Sequence, residues 1–326
     1  MKAMVYDRYG SPEMLRLTER AKPAPTDDEV LVEVRASSIN SWDWDLLRGR
    51  PYLTRIAALR KPPHPVLGAD VAGRVEAVGR NVRDFQAGND VYGDLSGSGW
   101  GGFAEYATAR ADVLARMPAS LTFEQAASIP QAGVLALQAL RKAQLREGQR
   151  VVINGAGGGV GTIATQVAKA AGAEVTGVDR ADKLDLLREI GADHVIDFAQ
   201  QDFTRNGRQY DLIVDVVARR SVFDYARALA PGGRFVIVGG ATWRILQVVA
   251  LGPVISRLRG KKLGLLLHRP NRQDLEALAG EFDLGRLQPV IDRTCPLSDL
   301  VEAFRYFGAG NAKGKVVIAV EHRDRS

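Results

Sequence analysis

A glycine-rich stretch that directly follows a short apolar run constrains this chain more than any other part of its sequence. The apolar run is Val151-Val-Ile153, whose consecutive β-branched residues are typical of a central strand in a parallel sheet. The stretch Asn154-Gly-Ala-Gly-Gly-Gly-Val-Gly161 comes next, and apolar residues at helical spacing continue to Ala171. A strand, a glycine turn and a helix in this order predict a dinucleotide site. Backbone N–H groups at the helix N-terminus would hold the pyrophosphate, and bulky side chains there would block its approach.

The glycines alone are weak evidence, because a tight structural turn would also require them. The strict fingerprint G-x-G-x-x-G is not met, since Ala156 stands at its first position and only Gly158 and Gly161 match. Alanine can serve there if its φ is negative. A second strand predicted over 174–178 ends at Asp179, close to the spacing expected of the acid that holds an adenosine ribose. This combination assigns to the cofactor the residues Asn154, Ala156, Gly158, Gly159, Val160, Gly161 and Asp179.

Length and composition set bounds on the rest of the chain. Its 326 residues exceed one ordinary core, so two domains are expected. The single cysteine, Cys295, excludes an internal disulfide framework and a multi-cysteine metal site, and it favours a reducing compartment, which we take to be the cytoplasm. The net charge of +6 is modest and no basic run is interleaved with aromatics, so nucleic-acid binding is not expected. No apolar run has the length of a membrane span.

The pattern along the chain changes near Thr122, which is expected to cap a helix. Before it, short runs such as 30–36 and 70–78 are separated by glycines and prolines, which predicts a partly open β-barrel with long loops. After it, apolar runs and helical periodicities take turns as far as residue 238, which predicts a doubly wound parallel sheet. The last elements, over 290–320, return to strand, helix, strand and are expected to rejoin the first domain.

The segment from Trp243 to Arg269 has no single interpretation. Two apolar stretches, 245–251 and 263–267, are separated by Pro253 and by a basic cluster over 257–262. A lid, a helix on a membrane surface and a dimer contact are all compatible with this pattern. Burial within the protein or an oligomer is the commonest use of such a segment, so we favour it over membrane contact.

Several motifs in the same order resemble the medium-chain dehydrogenase/reductase superfamily, and within it the zinc-independent quinone oxidoreductase-like branch. The resemblance covers nearly the whole chain. It rests on Met1-Lys-Ala-Met-Val5, Val66-Leu-Gly-Ala-Asp-Val-Ala-Gly73, Gly88-Asn-Asp-Val-Tyr-Gly93, Gly102-Phe-Ala-Glu-Tyr106, the glycine stretch ending at Gly161, Gly191-Ala-Asp-His-Val-Ile-Asp197 and Gly314-Lys-Val-Val-Ile318. The family implies an α/β chain in which a doubly wound parallel (Rossmann) sheet domain is inserted into a β-rich, GroES-like, partly open barrel domain. We therefore expect the catalytic domain over 1–121 and 290–326, the nucleotide-binding domain over 122–289, a cleft between them, and a homodimer.

Residue types argue against a zinc site. Zinc-dependent relatives use a cysteine near Asn40, a histidine just after Gly68 and a further ligand beyond Pro130, whereas this chain has Asn40-Ser-Trp-Asp43, Ala69 and no cysteine in the third region. The four histidines do not cluster in the sequence, so no metal is expected. Alcohol oxidation without a Lewis acid is a poor fit, because something must stabilise the alkoxide. A quinone or an α,β-unsaturated carbonyl supplies its own electron sink.

The expected chemistry is hydride transfer from a reduced nicotinamide to a quinone or an α,β-unsaturated carbonyl, with the protein mainly positioning the reactants. In the resemblance, Asn40 matches the family asparagine near the nicotinamide and the substrate. Strand ends that face the cofactor in the resemblance are Val217, Gly239 and Gly240. Tyr52 is a candidate for lining the cleft or relaying a proton, although packing of a loop aromatic on the barrel explains it equally well. No general acid is assigned, and Asp43 is expected to be a solvated loop carboxylate or to bond its own backbone.

Neighbouring residues of opposite charge leave the choice of nucleotide open. Asp179 would bond the ribose hydroxyls of NADH and repel the 2′-phosphate of NADPH. Arg180 and Lys183 could instead bind that phosphate, and quinone reductases often prefer NADPH. We expect NADP or NAD as cofactor, with a slight lean toward NADPH being usable. Two alternatives to a reductase remain: a zinc-free alcohol dehydrogenase-like enzyme, and a non-enzymatic nucleotide-binding sensor or partner protein.

Overall fold

The computed structural model describes residues 1–55, 58, 59 and 61–322 of the chain. The chain divides into two compact units. One, called the terminal unit below, consists of Met1–Val134 and Arg269–Ser326, and the other, called the central unit, is Leu135–His268. Each is described by itself.

Strands dominate the terminal unit, and strands and helices alternate in the central unit. The strands are β1 (Lys2–Val5), β2 (Arg16–Glu19), β3 (Glu29–Ser38), β4 (Asp70–Val78), β5 (Asp90–Asp94), β6 (Tyr106–Arg110), β7 (Leu114–Arg116), β8 (Arg150–Asn154), β9 (Glu174–Asp179), β10 (His194–Asp197), β11 (Tyr210–Asp215), β12 (Leu229–Ile237), β13 (Lys262–Leu265), β14 (Ile291–Pro296) and β15 (Lys315–Ala319). The helices are α1 (Ser41–Arg48), α2 (Phe123–Ala127), α3 (Pro130–Ala143), α4 (Gly159–Ala170), α5 (Leu184–Glu189), α6 (Val222–Ala228), α7 (Thr242–Arg259), α8 (Arg272–Asp283) and α9 (Leu300–Gly308).

A six-stranded parallel sheet in the order β10-β9-β8-β11-β12-β13 organises the central unit. The chain winds outward from β8 through β9 to β10 on one side, and from β11 through β12 to β13 on the other. The predicted doubly wound parallel sheet is therefore confirmed. In sheets of this kind ligands bind beyond the carboxyl ends of the strands where the winding reverses, which here is between β8 and β11.

The core of the central unit explains why its strands could be predicted from apolar runs. Val152 and Ile213 are fully buried in the two central strands, which are covered on both faces. Tyr225 of α6 stacks on Phe235 of β12 with ring centroids 4.1 Å apart. Burial of this apolar surface fixes α6 against the sheet.

The terminal unit contains a seven-stranded sheet in which β3 is the longest strand. Its order is β14-β15-β3-β4-β5-β7, with β6 also paired to β3, and every pair except β14 with β15 is antiparallel. Because β15 pairs with β3, the last elements rejoin the first part of the chain, as expected. Gly73 in β4 marks a close approach, since a Cβ there would lie 2.1 Å from the carbonyl oxygen of Glu33.

The two units end at residues 134 and 268 rather than at the expected 121 and 289. Contacts of α8 account for much of this difference. Arg272 donates to the carbonyl oxygens of Leu114 at 3.0 Å and Ala111 at 2.6 Å, and the Tyr92 hydroxyl donates to the carbonyl oxygen of Leu275 at 2.6 Å. These bonds attach α8 to the β-rich unit. Helical periodicity predicts a helix but does not reveal which sheet it packs against.

The segment that had no single interpretation folds as α7 followed by β13, the edge strand of the parallel sheet. Pro253 lies inside α7 and does not end it. Val248 and Ile255 are buried, whereas much of the remaining apolar surface of the helix is exposed. In the part of the chain that the structure describes, no helix combines the length and the hydropathy needed to cross a membrane.

Candidate nucleotide-binding and active site

The residues assigned to the cofactor lie at one end of the strands of the central sheet. The strands β8, β9, β11 and β12 are parallel, so their carboxyl ends, at Asn154, Asp179, Asp215 and Ile237, lie together at that end. The glycine loop follows β8, and α4 begins directly after it. The predicted strand-end residues Val217, Gly239 and Gly240 follow β11 and β12. The structure therefore brings the predicted set to the place where the winding reverses.

The glycine loop closes tightly onto the start of α4. Gly155 has a φ of +83°, which favours glycine. A Cβ on Gly161 would lie 2.2 Å from the carbonyl oxygen of Gly155, so the loop cannot accept a side chain there. Gly158 differs, because the nearest atom to a Cβ on it would lie at 3.6 Å, an ordinary contact. Ala156 is buried without a positive φ, which agrees with alanine serving at the first position of the fingerprint.

The first turn of α4 offers backbone donors beside the open space at Gly158. Gly158 is the N-cap, and the N–H groups of Gly159, Val160 and Gly161 have no acceptor within the helix. The helix dipole adds partial positive charge at this end. Protein packing does not explain a missing side chain at Gly158, whereas the close approach of an anionic ligand does. These residues fit the pyrophosphate of a dinucleotide and would hold it.

Asp179 is held against the glycine loop. Its carboxylate accepts hydrogen bonds from the backbone N–H of Gly157 at 2.7 Å and of Arg180 at 2.9 Å. The Lys183 ammonium lies 3.9 Å from it, and both side chains are buried. The Arg180 guanidinium instead pairs with Asp182 at 3.0 Å on the surface. The acid and one of the two predicted basic residues are therefore brought together, and the other is directed at a different carboxylate.

A second buried acid, Asp215, lies at the carboxyl end of β11, at the same end of the sheet. Asn154 Nδ2 donates to its Oδ1 at 2.9 Å, and the backbone N–H of Val217 donates to the same oxygen at 3.0 Å. Burial raises the pKa of Asp215 to about 6, and these hydrogen bonds oppose the rise only in part. Asp215 thus fixes the Asn154 amide and the start of the segment that contains Val217.

Gly239 and Gly240 join the ends of β11 and β12. The backbone N–H of Ala218 donates to the carbonyl oxygen of Gly239 at 3.1 Å. Gly240 has a φ of +130°, and a Cβ on it would lie 2.5 Å from the nitrogen of Ala218. Glycine at position 240 is therefore required by the close approach of two backbone segments.

A buried polar cluster surrounds Asn40 in the terminal unit. Asn40 is the N-cap of α1, and its Nδ2 donates to Asp70 Oδ2 at 2.9 Å. Lys315 Nζ donates to Asn40 Oδ1 and lies 3.0 Å from Asp70 Oδ2. Ser38 Oγ donates to the same carboxylate oxygen at 2.6 Å, and the backbone N–H of Gln131 donates to the other at 2.8 Å. Lys315 is 4% exposed and Asp70 is 0% exposed, so this ion pair is shielded from water.

Asp43 lies next to this cluster and is fully buried. Its carboxylate accepts hydrogen bonds from the backbone N–H of Asn40 and of Gly68, both at 2.9 Å. Burial raises the pKa of Asp43 to about 7, and the nearby charge of Asp70 adds to the rise. The expectation of a solvated carboxylate is wrong because α1 and the loop at Gly68 enclose it, and the backbone groups that it binds belong to Asn40 and Gly68 rather than to Asp43 itself.

Tyr52 lies in a short 3-10 helix, Tyr52–Arg55, and is 70% exposed. The Arg55 guanidinium lies 5.3 Å from the centre of its ring. Within the described ranges, no hydrogen bond connects Tyr52 with Asn40. Its suggested role in lining the site or relaying a proton stays a prediction.

Metal ligands are not grouped in the part of the chain that the structure describes, where no three His, Cys, Asp or Glu side chains could hold an ion together. Ala69 is buried, and its carbonyl oxygen accepts a hydrogen bond from the N–H of Leu95 at 2.6 Å. Independence from zinc remains a prediction that rests on residue types at Asn40 and Ala69.

Sequence reasoning did not find Asp70, Lys315 or Asp215. The Lys315–Asp70 pair joins residues 245 positions apart, which no local pattern connects. A signal was present nonetheless, because each of the three stands at one end of a strand, directly beside buried apolar residues. A charged side chain next to the buried residues of a strand needs a partner of opposite charge or a hydrogen bond. Such positions therefore indicate buried polar clusters.

The chain is similar to known proteins along nearly its whole length. The model of the alcohol dehydrogenase GroES-like domain matches residues 26–119, and that of the zinc-binding dehydrogenases matches residues 190–318. The 2-methylene-furan-3-one reductase of Solanum lycopersicum is 31% identical, over 98% of this chain and 79% of that protein. The chloroplast envelope quinone oxidoreductase homolog of Arabidopsis thaliana is 30% identical, over 98% of each.

A solved structure agrees with these sequence similarities. The quinone oxidoreductase from Coxiella burnetii has a TM-score of 0.87 and 28% identity, over 98% of this chain and 99% of that one. The similarity includes both the GroES-like part and the parallel sheet, in the order that the motifs predicted. The chain belongs to the medium-chain dehydrogenase/reductase superfamily, in its quinone oxidoreductase-like branch.

Proposed function

We propose that this chain is a zinc-independent, NAD(P)H-dependent reductase that transfers a hydride to a quinone or to an α,β-unsaturated carbonyl. Similarity to a quinone oxidoreductase homolog and to a furanone reductase over 98% of the chain carries the proposal. The proposal is also supported by the residues at two positions where zinc-dependent relatives have zinc ligands. Asn40 offers an amide and Ala69 a methyl group, whereas zinc prefers thiolate, imidazole or carboxylate ligands.

Positioning and electrostatics are the tasks left to the protein. The reduced nicotinamide supplies the hydride when it is bound. The first turn of α4 would bind the pyrophosphate, and Asp179 would bind the adenosine ribose. The amide of Asn40 would stabilise negative charge that develops on the acceptor oxygen. No titratable side chain is assigned as proton donor, and water protonates the product.

NADPH is usable alongside NADH in this proposal. The charge of Asp179 opposes a 2′-phosphate. However, the Lys183 ammonium lies 3.9 Å from the Asp179 carboxylate, and two backbone N–H groups donate hydrogen bonds to the same carboxylate. Lys183 therefore reduces the repulsion that an isolated acid would exert. Arg180 contributes less, because it is engaged with Asp182.

A homodimer is the proposed assembly, with α7 and β13 as the contact. The strand β13 is the last strand on one side of the parallel sheet, and a strand at that position can pair with a second copy. The side chains of Trp243, Leu246 and Leu258 in α7 are exposed, and exposed apolar surface of this kind is typical of a protein–protein interface. The proposed location is the cytoplasm, supported by the free thiol of Cys295.

Oxidation of NADH and NADPH by metal-stripped protein tests the function directly. The acceptors are 1,4-benzoquinone, 9,10-phenanthrenequinone and benzylideneacetone. A separate assay supplies a primary alcohol with NADP⁺ or NAD⁺ and measures alcohol oxidation. Turnover with a quinone or the enone that survives chelation is expected. Loss of activity on chelation contradicts zinc independence, and turnover only with the alcohol favours an alcohol dehydrogenase-like enzyme. Nucleotide binding without turnover contradicts an enzymatic role.

A further inference from the structure

The amide of Asn40 is held at both of its ends. Its oxygen accepts a hydrogen bond from the Lys315 ammonium, and its nitrogen donates to Asp70 Oδ2 at 2.9 Å. The ammonium also lies 3.0 Å from the same carboxylate oxygen, so the three groups form a closed triangle. Asn40 is 7% exposed, and the other two side chains are still more buried. Water therefore competes weakly for these bonds, which are stronger than they would be at the surface.

Only one orientation of the amide is compatible with these neighbours. An ammonium group can only donate hydrogen bonds, and an ionised carboxylate can only accept them. Asp70 also accepts from Ser38 Oγ and from the N–H of Gln131, so it acts as an acceptor on all sides. A reversed amide would set its NH₂ group against the ammonium and its oxygen against the carboxylate. Both pairs would repel each other in a low-dielectric interior.

One hydrogen of this amide remains available. Nδ2 has two hydrogens, and Asp70 accepts one of them. Among the described residues, the structure records no acceptor for the other. The positive charge of Lys315 on the amide oxygen draws electron density away from the nitrogen, which makes the remaining N–H a stronger donor. Asn40 is therefore prepared to donate to a ligand rather than to accept from one.

We propose that Lys315 and Asp70 are positioning residues that present the free Nδ2–H of Asn40 to the carbonyl oxygen of the acceptor. This inference rests on the proposed reductase function and deepens it. In an enone, the hydride adds to the β-carbon, the C=C electron pair shifts, and the carbonyl oxygen gains the negative charge of an enolate. The acceptor gains two electrons with the hydride, which a bound reduced nicotinamide would supply by losing them, and water then protonates the α-carbon. A polarised N–H at the oxygen lowers the barrier because charge develops there during the transfer.

A purely structural role for Lys315 has a different consequence. A scaffold that shifts the whole site slows every acceptor by a similar factor. A group that activates the Asn40 donor has its greatest effect on acceptors that attract hydride least. The dependence of rate on the electron demand of the acceptor separates the two roles.

Lys315→Met and Lys315→Arg are to be compared on a series of para-substituted benzylideneacetones at saturating NADPH. We expect Lys315→Met to lower kcat/KM about 10- to 100-fold for the para-methoxy compound and less for the para-nitro compound, so the Hammett slope steepens. Lys315→Arg keeps the charge and hydrogen-bond donors, so it is expected to retain more activity than Lys315→Met. Lys22→Met is the matched control, since Lys22 pairs with Glu76 at the surface of the same unit, and it is expected to behave as wild type.

An equal loss for every acceptor overturns the proposal, and so does the absence of a loss. Lys315→Met leaves Asp70 buried without its cation and could prevent folding for that reason. In that case Asn40→Leu decides, because leucine has a similar size, adds no charge beside Asp70 and lacks the amide N–H. The same steepening is expected for it, and an unchanged slope contradicts the proposal.

NMR of the Asn40 side-chain amide separates this inference from the proposed function. The two ¹H–¹⁵N signals are assigned by their loss in Asn40→Leu. If wild type reduces no member of the series, the reductase function fails and the NMR result alone judges the donor. The proposal predicts two well-separated amide protons, of which one moves on addition of benzylideneacetone with NADP⁺. Rapidly averaging protons, or signals that do not respond, overturn it.

Discussion

At Asp43 and Asp215, burial raises the pKa of a carboxyl group that ordinarily ionises near pH 4. Both accept backbone N–H bonds, yet these bonds do not offset the loss of hydration. The residue type was visible in the sequence, whereas the burial of each carboxyl group depends on elements that the sequence does not show to be adjacent. This is why Asp43 was expected to be solvated or to bond its own backbone, and why Asp215 was not singled out.

The pH dependence of stability tests the environment of Asp215. Because folding raises its pKa, the folded state binds this proton more tightly, so the contribution to stability is complete below pH 4 and is lost as pH rises to about 6. Asn at this position still accepts from Asn154 and Val217 but cannot ionise. We expect Asp215→Asn to match wild type near pH 4 and to be more stable at pH 8 by about 2–3 kcal/mol, measured by urea denaturation. A difference that is the same at every pH contradicts this account.

The proposed nucleotide preference depends on Asp179. Replacing it by serine removes the charge that opposes a 2′-phosphate and leaves Lys183 free to attract one. We expect Asp179→Ser to shift the ratio of Kd values toward NADPH by about tenfold or more, measured by fluorescence titration with both nucleotides. Asp185→Ser is the control, because Asp185 is exposed and pairs with Arg188 nearby. An unchanged ratio of the two Kd values in Asp179→Ser would show that the carboxylate does not discriminate between the nucleotides at the adenosine ribose.

At the level of elements, the glycine loop and α4 combine two kinds of glycine. Gly161 is required by packing, because its Cβ would lie 2.2 Å from the Gly155 carbonyl oxygen. Gly158 has room for a Cβ, with the nearest atom at 3.6 Å. The sequence pattern does not distinguish them. The distinction follows only from the path of the folded loop, and it makes Gly158 the position at which we expect a ligand to approach.

These two glycines form a matched pair for mutation. Gly158→Ala is expected to keep the melting temperature within about 2 °C of wild type while weakening nucleotide binding about tenfold or more. Gly161→Ala is expected to lower the free energy of unfolding by about 1–3 kcal/mol, because the loop must move. Calorimetry of folding and of NADPH binding measures both. Normal nucleotide binding by Gly158→Ala would argue against a pyrophosphate at the start of α4.

Elements with a strong apolar pattern were predicted well, and those decided by tertiary contacts were not. The strands β8 and β11 are buried on both faces, so continuous β-branched runs revealed them. The segment 243–269 had no single interpretation, because Pro253 and the basic cluster separate its apolar stretches, whereas the helix α7 continues through Pro253. Its burial against the sheet through Val248 and Ile255 outweighs the lost hydrogen bond.

Over the whole molecule, the chain order of motifs predicted that the last elements return to the first part of the chain. The pairing of β15 with β3 confirms that the last elements rejoin the first. It also places Lys315, at the start of β15, beside Asn40 and Asp70. The Asn40 cluster therefore exists only because the two ends of the chain share one sheet. Resemblance implied the pairing of strands, but not the charge pair that it creates.

The assembly of two copies is tested at α7. Leu246→Glu with Leu258→Glu introduces two charges on the exposed face of the helix without touching its buried residues. We expect this double variant to be monomeric, and Leu284→Glu, at an exposed apolar position in the terminal unit, to remain dimeric. Light scattering after size-exclusion chromatography gives the mass. A wild-type monomer, or a dimer unaffected by both charges, contradicts the proposed contact.

Transfer of deuterium tests the central claim most directly. Metal-stripped protein is supplied with NADPH deuterated at both C4 positions and with benzylideneacetone, and the saturated ketone is analysed by mass spectrometry and NMR. A zinc-independent hydride transfer predicts one deuterium at the β-carbon, a proton from water at the α-carbon, and unchanged yield in the presence of a chelator. Saturated ketone without deuterium at the β-carbon, or no product unless zinc is restored, would contradict the account.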